Sequence, residues 1–192
     1  MKWIVVAIIL VIVPYTFITL QYRKPGPAFQ PYEDMKNRAN VVRLLSAGFQ
    51  RLPIAATRPA DGARVPDGAA IAPAPGGLPE DLKKTLVEPV LLPAEIVNVA
   101  AAPVANTLMA YEVQLLCTLP DERKQLGGGD LYLRGDQVVL APTFIAVGDD
   151  LVARDRRAPV LFTIPAGTLK PGRYQVTLLG QQSSRTWPLE VR

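Results

Sequence analysis

Tyr111-Glu-Val-Gln-Leu-Leu-Cys-Thr-Leu119 places Tyr111, Val113, Leu115, Cys117 and Leu119 on one parity and Glu112, Gln114, Leu116 and Thr118 on the other. Successive side chains of a strand point to opposite faces, so a period of two predicts a strand with one buried face. Shorter runs of the same kind follow. Leu131–Leu133 and Gln137–Ala141 flank Arg134-Gly135-Asp136, and Phe144–Val147 and Leu151–Ala153 flank Gly148-Asp149-Asp150. Val160–Ile164, Arg173–Leu179 and Thr186–Val191 complete the set. Glycine and aspartate suit the positive φ and local hydrogen bonds of tight turns. Regularly spaced short strands with almost no helical period predict an antiparallel β-sandwich over residues 94–192.

Upstream the composition changes. Residues 53–93 are rich in Pro, Ala and Gly, as in Ala72-Pro-Ala-Pro-Gly-Gly77, and read as a semi-extended linker with a short helical turn around Asp81 to Val87. Residues 23–52 form a juxtamembrane segment that begins extended at Pro25, Pro27 and Pro31. Met35, Ala39, Val42, Leu45, Phe49 and Leu52 then recur near the 3.6 period, which predicts an amphipathic helix from Glu33 to about Leu52. Its apolar stripe has three destinations open to it: lipid headgroups, a partner's membrane helix, or the β domain of the same chain. Met35, Val42, Leu45 and Phe49 are the candidate partner-binding residues.

Residues 1–22 read as a transmembrane anchor. Trp3 to Leu20 carries no charge and, as a helix, spans roughly 27 Å, just enough for a bilayer. Trp3 at one end and Tyr22, Arg23 and Lys24 at the other match the aromatic and basic residues that sit at membrane interfaces. Pro14 is tolerated in such a helix. A cleaved signal peptide is the rival, but Tyr15-Thr-Phe-Ile-Thr-Leu-Gln-Tyr22 lacks the small-x-small cleavage pattern. The expected location is the inner membrane. Arg23, Lys24, Lys36, Arg38 and Arg43 after the span favour a cytoplasmic C-terminal domain by charge, but the domain type favours an extracytoplasmic one, and that is the orientation expected.

Composition narrows the chemistry. The 192 residues contain no histidine, which removes Ser-His and Cys-His nucleophiles and histidine metal sites. Cys117 is the only cysteine, so no disulfide or Cys-x-x-Cys pair forms within the chain, and its alternating apolar context predicts a buried thiol. The net charge of +4 is scattered, without the basic cluster of a nucleic-acid protein. Met1, Met35 and Met109 are too dispersed for a soft-metal site. Arg134-Gly-Asp136 matches an adhesion tripeptide, but a tripeptide recurs by chance and Gly-Asp suits a hairpin, so it reads as a turn. Gly127-Gly-Gly-Asp130 lacks the Gly-Lys-Ser/Thr ending of a phosphate loop and reads as flexible chain. Asp149, Asp150 and Asp155 lack calcium-loop spacing, and Arg154, Arg156 and Arg157 are their natural ion-pair partners. No catalytic residue, cofactor site or metal site is expected.

Within the last hundred residues, Ile164-Pro-Ala-Gly-Thr-Leu-Lys-Pro-Gly-Arg-Tyr174 resembles the E-to-F corner of immunoglobulin-like domains. The resemblance implies that the Tyr174 hydroxyl bonds to backbone a few residues upstream. Trp187, with Leu189 and Val191, belongs to the last strand as a core residue. The N-terminal anchor, Pro31-Tyr-Glu-Asp34 leading into a helix, and a β domain ending in Pro171-Gly-Arg-Tyr and Trp187-Pro-Leu-Glu-Val together resemble the FixH or CcoH type of small membrane protein. That resemblance implies a part in assembling a cytochrome oxidase; the long Pro-Ala segment departs from it. The sequence as a whole predicts a non-enzymatic accessory protein whose partners are the lipid bilayer and another membrane protein or complex. An envelope ligand-binding module and an enzyme using carboxylates alone are the rivals.

Overall fold

The computed structural model describes residues 2–22, 31–59, 68–147 and 155–192. Arg23, Lys24, Pro25, Pro27, the turn at Gly148-Asp149-Asp150, the strand expected at 151–153 and Arg154 lie outside them. Residues 1–35 and 36–192 make two compact units. The first contains α1 (Lys2–Tyr22), a helix that includes Pro14. Its described side chains Leu10, Val11, Ile12 and Val13 are exposed. Among the described residues no helix is long and apolar enough to cross a membrane.

Helix α2 (Pro31–Ser46) starts in the first unit and ends in the second. It stops well before Leu52, and the reason is Gly48. With φ 79° it takes the left-handed conformation that L side chains resist. The Phe49 amide then donates to Leu44 O at 2.8 Å and the Gly48 amide to Leu45 O at 3.0 Å, the pair of bonds that closes a Schellman cap. Leu44 and Phe49 bury together beside it. The chain turns directly into β1 (Gln50–Thr57).

The strands that follow are β2 (Ala72–Pro75), β3 (Glu95–Ala101), β4 (Val104–Ala105), β5 (Tyr111–Thr118), β6 (Lys124–Arg134), β7 (Gln137–Ala146), β8 (Arg157–Ile164), β9 (Gly172–Leu178) and β10 (Ser183–Val191), with α3 (Glu80–Thr85) after β2. They join in one ten-stranded curled sheet of order β2-β10-β9-β7-β6-β1-β8-β5-β3, with β4 added beside β10. The domain is mainly β, as expected. Its pairing is antiparallel except where β7 meets β9 and β4 meets β10, which run parallel. β1 is the seam: Gln50–Ile54 pair with β6, and Ala55–Thr57 pair with β8.

Curling brings two sheet layers face to face. Val113, Leu115 and Cys117 of β5 and Val160, Phe162 and Ile164 of β8 pack against Leu131, Val138, Leu140, Val176, Leu178, Trp187 and Leu189 of the other layer. A second cluster lies on the reverse face of β6 and β7, where Tyr132, Val139 and Ala141 are covered by Leu44, Phe49 and Leu82 from the helical segments. β7 is therefore buried on both faces, which is why Val138-Val-Leu-Ala141 is apolar without alternation.

The described residues of the segment expected to be a linker, 53–59 and 68–93, are consequently part of the fold. They contribute the end of β1, all of β2 and α3 to the folded unit. Proline cannot donate to a ladder, so it is confined to positions where one side of a strand lacks a neighbour. Pro73 and Pro75 obey this on β2, the sheet's first strand: Ala72 and Ala74 must make the bonds to β10, and the prolines turn their nitrogens outward. Pro188 follows the same rule, because the Glu190 amide, on its parity, points to Pro103 O at 3.0 Å and Pro188 falls between the stretches joined to β2 and β4. Pro142 and Pro159 lie beyond the residues of β7 and β8 that meet β9 and β1.

Gly127-Gly-Gly129 is likewise not flexible chain but part of β6, with a bulge between Leu126 and Gly128. A Cβ on Gly129 would strike the Phe162 ring, and one on Gly127 would come within 2.6 Å of Ile145. These glycines admit side chains from across the sheet and beside it. Arg134-Gly135-Asp136-Gln137 forms a two-residue hairpin turn with φ 60° at Gly135. No described non-glycine residue has positive φ, so the turn is of type II′.

Candidate functional site

The most polar buried group in the domain is assembled by β1 and β6. Arg51 and Tyr132 are opposite one another in the register, and Asp130 lies two residues before Tyr132 on the same face. Arg51 Nη2 donates to Asp130 Oδ2 at 2.8 Å, and the Tyr132 hydroxyl approaches the same oxygen at 3.5 Å. Asp130 is 4% exposed and Tyr132 1%. A cavity of about 240 Å³ opens onto this group, walled by Asn37 and Asn40 of α2, Glu88 and Val90 before β3, and Thr143 of β7.

The electrostatics keep Arg51 charged and Tyr132 neutral near neutral pH. The hydrogen bond to Asp130 raises the already high Arg51 pKa, with part of the gain offset by burial. Burial, helped by the Asp130 charge, pushes the Tyr132 hydroxyl up to about 12. Neither Arg51 nor Tyr132 is poised to exchange a proton at pH 7, as a general acid or base would be. The arrangement can accept and donate hydrogen bonds and pins the β1–β6 register. Among the described residues no group of three His, Cys, Asp or Glu could hold a metal ion.

The residues singled out from the sequence as partner-binding do not share one surface. Met35, Val42 and Leu45 are 65%, 66% and 61% exposed, whereas Phe49 is 3% exposed. Phe49 is a correction: past the Gly48 cap it leaves the helical stripe, packs in the second core cluster, and lies under the Arg134 guanidinium at 4.4 Å. Leu52 belongs to β1. The side of α2 that docks is set instead by Leu44, by Asn40, whose Oδ1 accepts the Val87 amide at 2.8 Å, by Arg43, which donates to Lys84 O at 3.0 Å, and by Lys36, ion-paired with Glu88. At about 100° per residue Val42 and Leu45 fall on the opposite side.

Arg134 is committed within the fold. Besides Phe49 it contacts Asp81 Oδ2 at 2.9 Å and Gln137 Oε1 at 3.3 Å, so the Arg-Gly-Asp tripeptide is a hairpin tied to α3. Asp155 accepts the Arg157 amide at 2.9 Å in a local turn. Tyr174 donates to Lys170 O at 3.0 Å, a bond back to backbone four residues upstream. Trp187, 1% exposed, donates to the Tyr111 hydroxyl at 3.1 Å, and that hydroxyl donates to Ala102 O at 2.8 Å. Burial lifts Tyr111 to about 12 and Cys117, which donates to Ala158 O at 3.7 Å, to about 11.

The Arg51–Asp130–Tyr132 group was not visible in the sequence. Its ion pair joins residues 79 apart, Arg51 in the segment read as an amphipathic helix and Asp130 at the end of a run read as flexible glycine chain. A single charged residue after a glycine run is a weak signal, and only the β1–β6 pairing turns it into a site. Comparison with protein-family models, curated proteins and solved structures finds no match to this chain.

Proposed function

We propose that this chain is a single-pass membrane-anchored, non-enzymatic accessory protein whose α2 contacts a larger membrane complex through Met35, Val42 and Leu45. The observation that carries the reading is the division of α2: Leu44 is 1% exposed against the domain while Val42 and Leu45 on the other side remain above 60%. A helix already held by its domain needs no apolar residues facing away from it. The anchor rests on the uncharged run Trp3 to Leu20, which falls within α1 and shows exposed apolar side chains from Leu10 to Val13. The β domain serves as the rigid support, a variant of the immunoglobulin-like sandwich with Tyr174 as its corner tyrosine.

The test is a pull-down of the intact protein from its own membrane after mild crosslinking, with and without the triple change Met35→Ser, Val42→Ser and Leu45→Ser. Those side chains are exposed, so folding is expected to persist. Recovery of a defined membrane complex by the unaltered chain and its loss in the triple variant is the expected result. An unchanged set of partners counts against the α2 surface.

A further inference from the structure

A second surface stands at the end of the sheet where β4, β8 and β10 finish and β5 and β9 begin. Leu108 and Met109 are 86% and 67% exposed, yet the turn that carries them is tightly held. The Leu108 amide donates to Asn106 Oδ1 at 2.9 Å and the Met109 amide to Asn106 O at 3.1 Å. The Thr107 amide and hydroxyl both donate to Arg192 O, at 2.9 and 3.1 Å, and the Gly167 amide donates to Thr107 O at 2.8 Å. Two large apolar side chains are thus fixed in water by a frame that could have carried polar ones.

The same hydrogen bonds bring basic side chains to this end of the sheet. Arg192 joins the turn directly, and Gly167 opens the loop that leads to exposed Lys170 and Arg173. Among the described residues two acids lie here: Glu190 is bound by Arg192 at 2.9 Å and faces Arg173 across β9 and β10, and exposed Glu112 lines the hollow beside Met109, leaving three basic side chains against two acidic ones. Exposed Val104 lies alongside, and an open hollow of about 600 Å³ runs between it, Met109 and Arg192.

We propose that this end of the domain inserts Leu108 and Met109 into an anionic lipid surface, with Lys170, Arg173 and Arg192 at the headgroups. Shape and charge select a lipid over a protein. A stable protein interface buries about 800 Å² on each partner and needs a matching hollow for a projecting turn. Two large side chains on a tight turn fall well short of that area, whereas a bilayer accepts a convex apolar tip without a preformed pocket. Basic residues around such a tip complement acidic headgroups. The turn is at the end of the sheet where β9 starts, which is also the Gln137 end of β7, while Asn37 and Asn40 of α2 share a cavity with Thr143 and Phe144 near its other end, so the two surfaces can be altered independently.

The experiment uses the full chain in nanodiscs of phosphatidylcholine, with an environment-sensitive dye on Ala110→Cys; buried Cys117 does not compete for the label. Vesicles of phosphatidylcholine with or without phosphatidylglycerol are then added. The expected result is flotation with the anionic vesicles and a blue shift of the dye, at least tenfold weaker with neutral vesicles. Lys170→Ala and Arg173→Ala should each weaken binding about fivefold, and the double change Leu108→Asp with Met109→Asp should abolish it. An equal response to both lipids, no response, or binding retained by the double variant overturns the proposal. Failure of the chain to enter nanodiscs at all would fall on the anchor reading instead.

Discussion

β1 and β2 differ from β5 in what lies beside them. β5 runs between β3 and β8 over most of its length. Among the described residues β2 borders β10 alone, and β1 has β6 beside Gln50–Ile54 and β8 beside Ala55–Thr57. A strand flanked on both sides needs every amide, and tolerates little but β-branched, aromatic and large apolar residues. A strand flanked on one side can spend alternate residues on proline. The difference teaches that the Pro-Ala composition of β1 and β2 marks a seam and a border of the sheet, not the absence of a sheet.

The sharpest way to break that comparison is Leu82→Ala. Leu82 of α3 is 0% exposed in the cluster that covers β6 and β7. Removing it should destabilise the domain by about 2–5 kcal/mol, the range for a fully buried leucine. Chemical denaturation with a loss near zero would return residues 53–93 to the status of a tether.

Alkaline titration asks whether the two clusters hold equally. Tyr111 sits in the main core and Tyr132 beneath the helical cover, and both are raised to about 12 by burial. Because folding favours the protonated phenol, this stability is complete below the ordinary tyrosine value near 10 and is lost as pH rises toward 12. Tyrosinate absorbance compared with that of Tyr132→Phe should show Tyr132 ionising only as the whole domain unfolds. If Tyr132 titrates near 10 while Tyr111 does not, the α2–α3 cover opens by itself.

The smallest effects come from β2. Ala74→Pro should cost about 1–3 kcal/mol, because it removes a ladder donor toward β10. Pro73→Ala should change stability by less than about 0.5 kcal/mol while restoring an outward amide. Equal effects of the two in thermal melts would refute the parity assigned to the prolines.

β5 and β10 were legible because one parity of each meets the core and the other does not, whereas Gly127–Asp130 of β6 was read as flexible chain and Phe144–Val147 as a separate strand although β7 runs unbroken from Gln137 to Ala146. β1, β2 and β3 were hidden for different reasons. β1 has proline at its centre and small residues after it, and β2 is half proline. In β3 a bulge between Ile96 and Asn98 breaks the alternation that Ile96 and Val99 would otherwise show. Gly48 stands plainly in the sequence, but the apolar period continues through Phe49 and Leu52 and conceals a cap. Of the candidate surface residues, Met35, Val42 and Leu45 were readable as one helical face. Leu44, the residue that docks that helix, lies next to them and carries no distinguishing mark.

The seam made by β1 also governs the order in which the chain can acquire its structure. Both partners of β1 and the partner of β2 lie far downstream, so as the polypeptide emerges from the ribosome these segments have nothing to pair with until β6, β8 and β10 exist. Distant pairings of this kind are slow to form and leave bare edges in the interval. Pro53, Pro73 and Pro75 deny those waiting edges a full row of amide donors, which makes them poor templates for a neighbouring nascent chain. The prolines that obscure the strands on paper thereby protect them during synthesis.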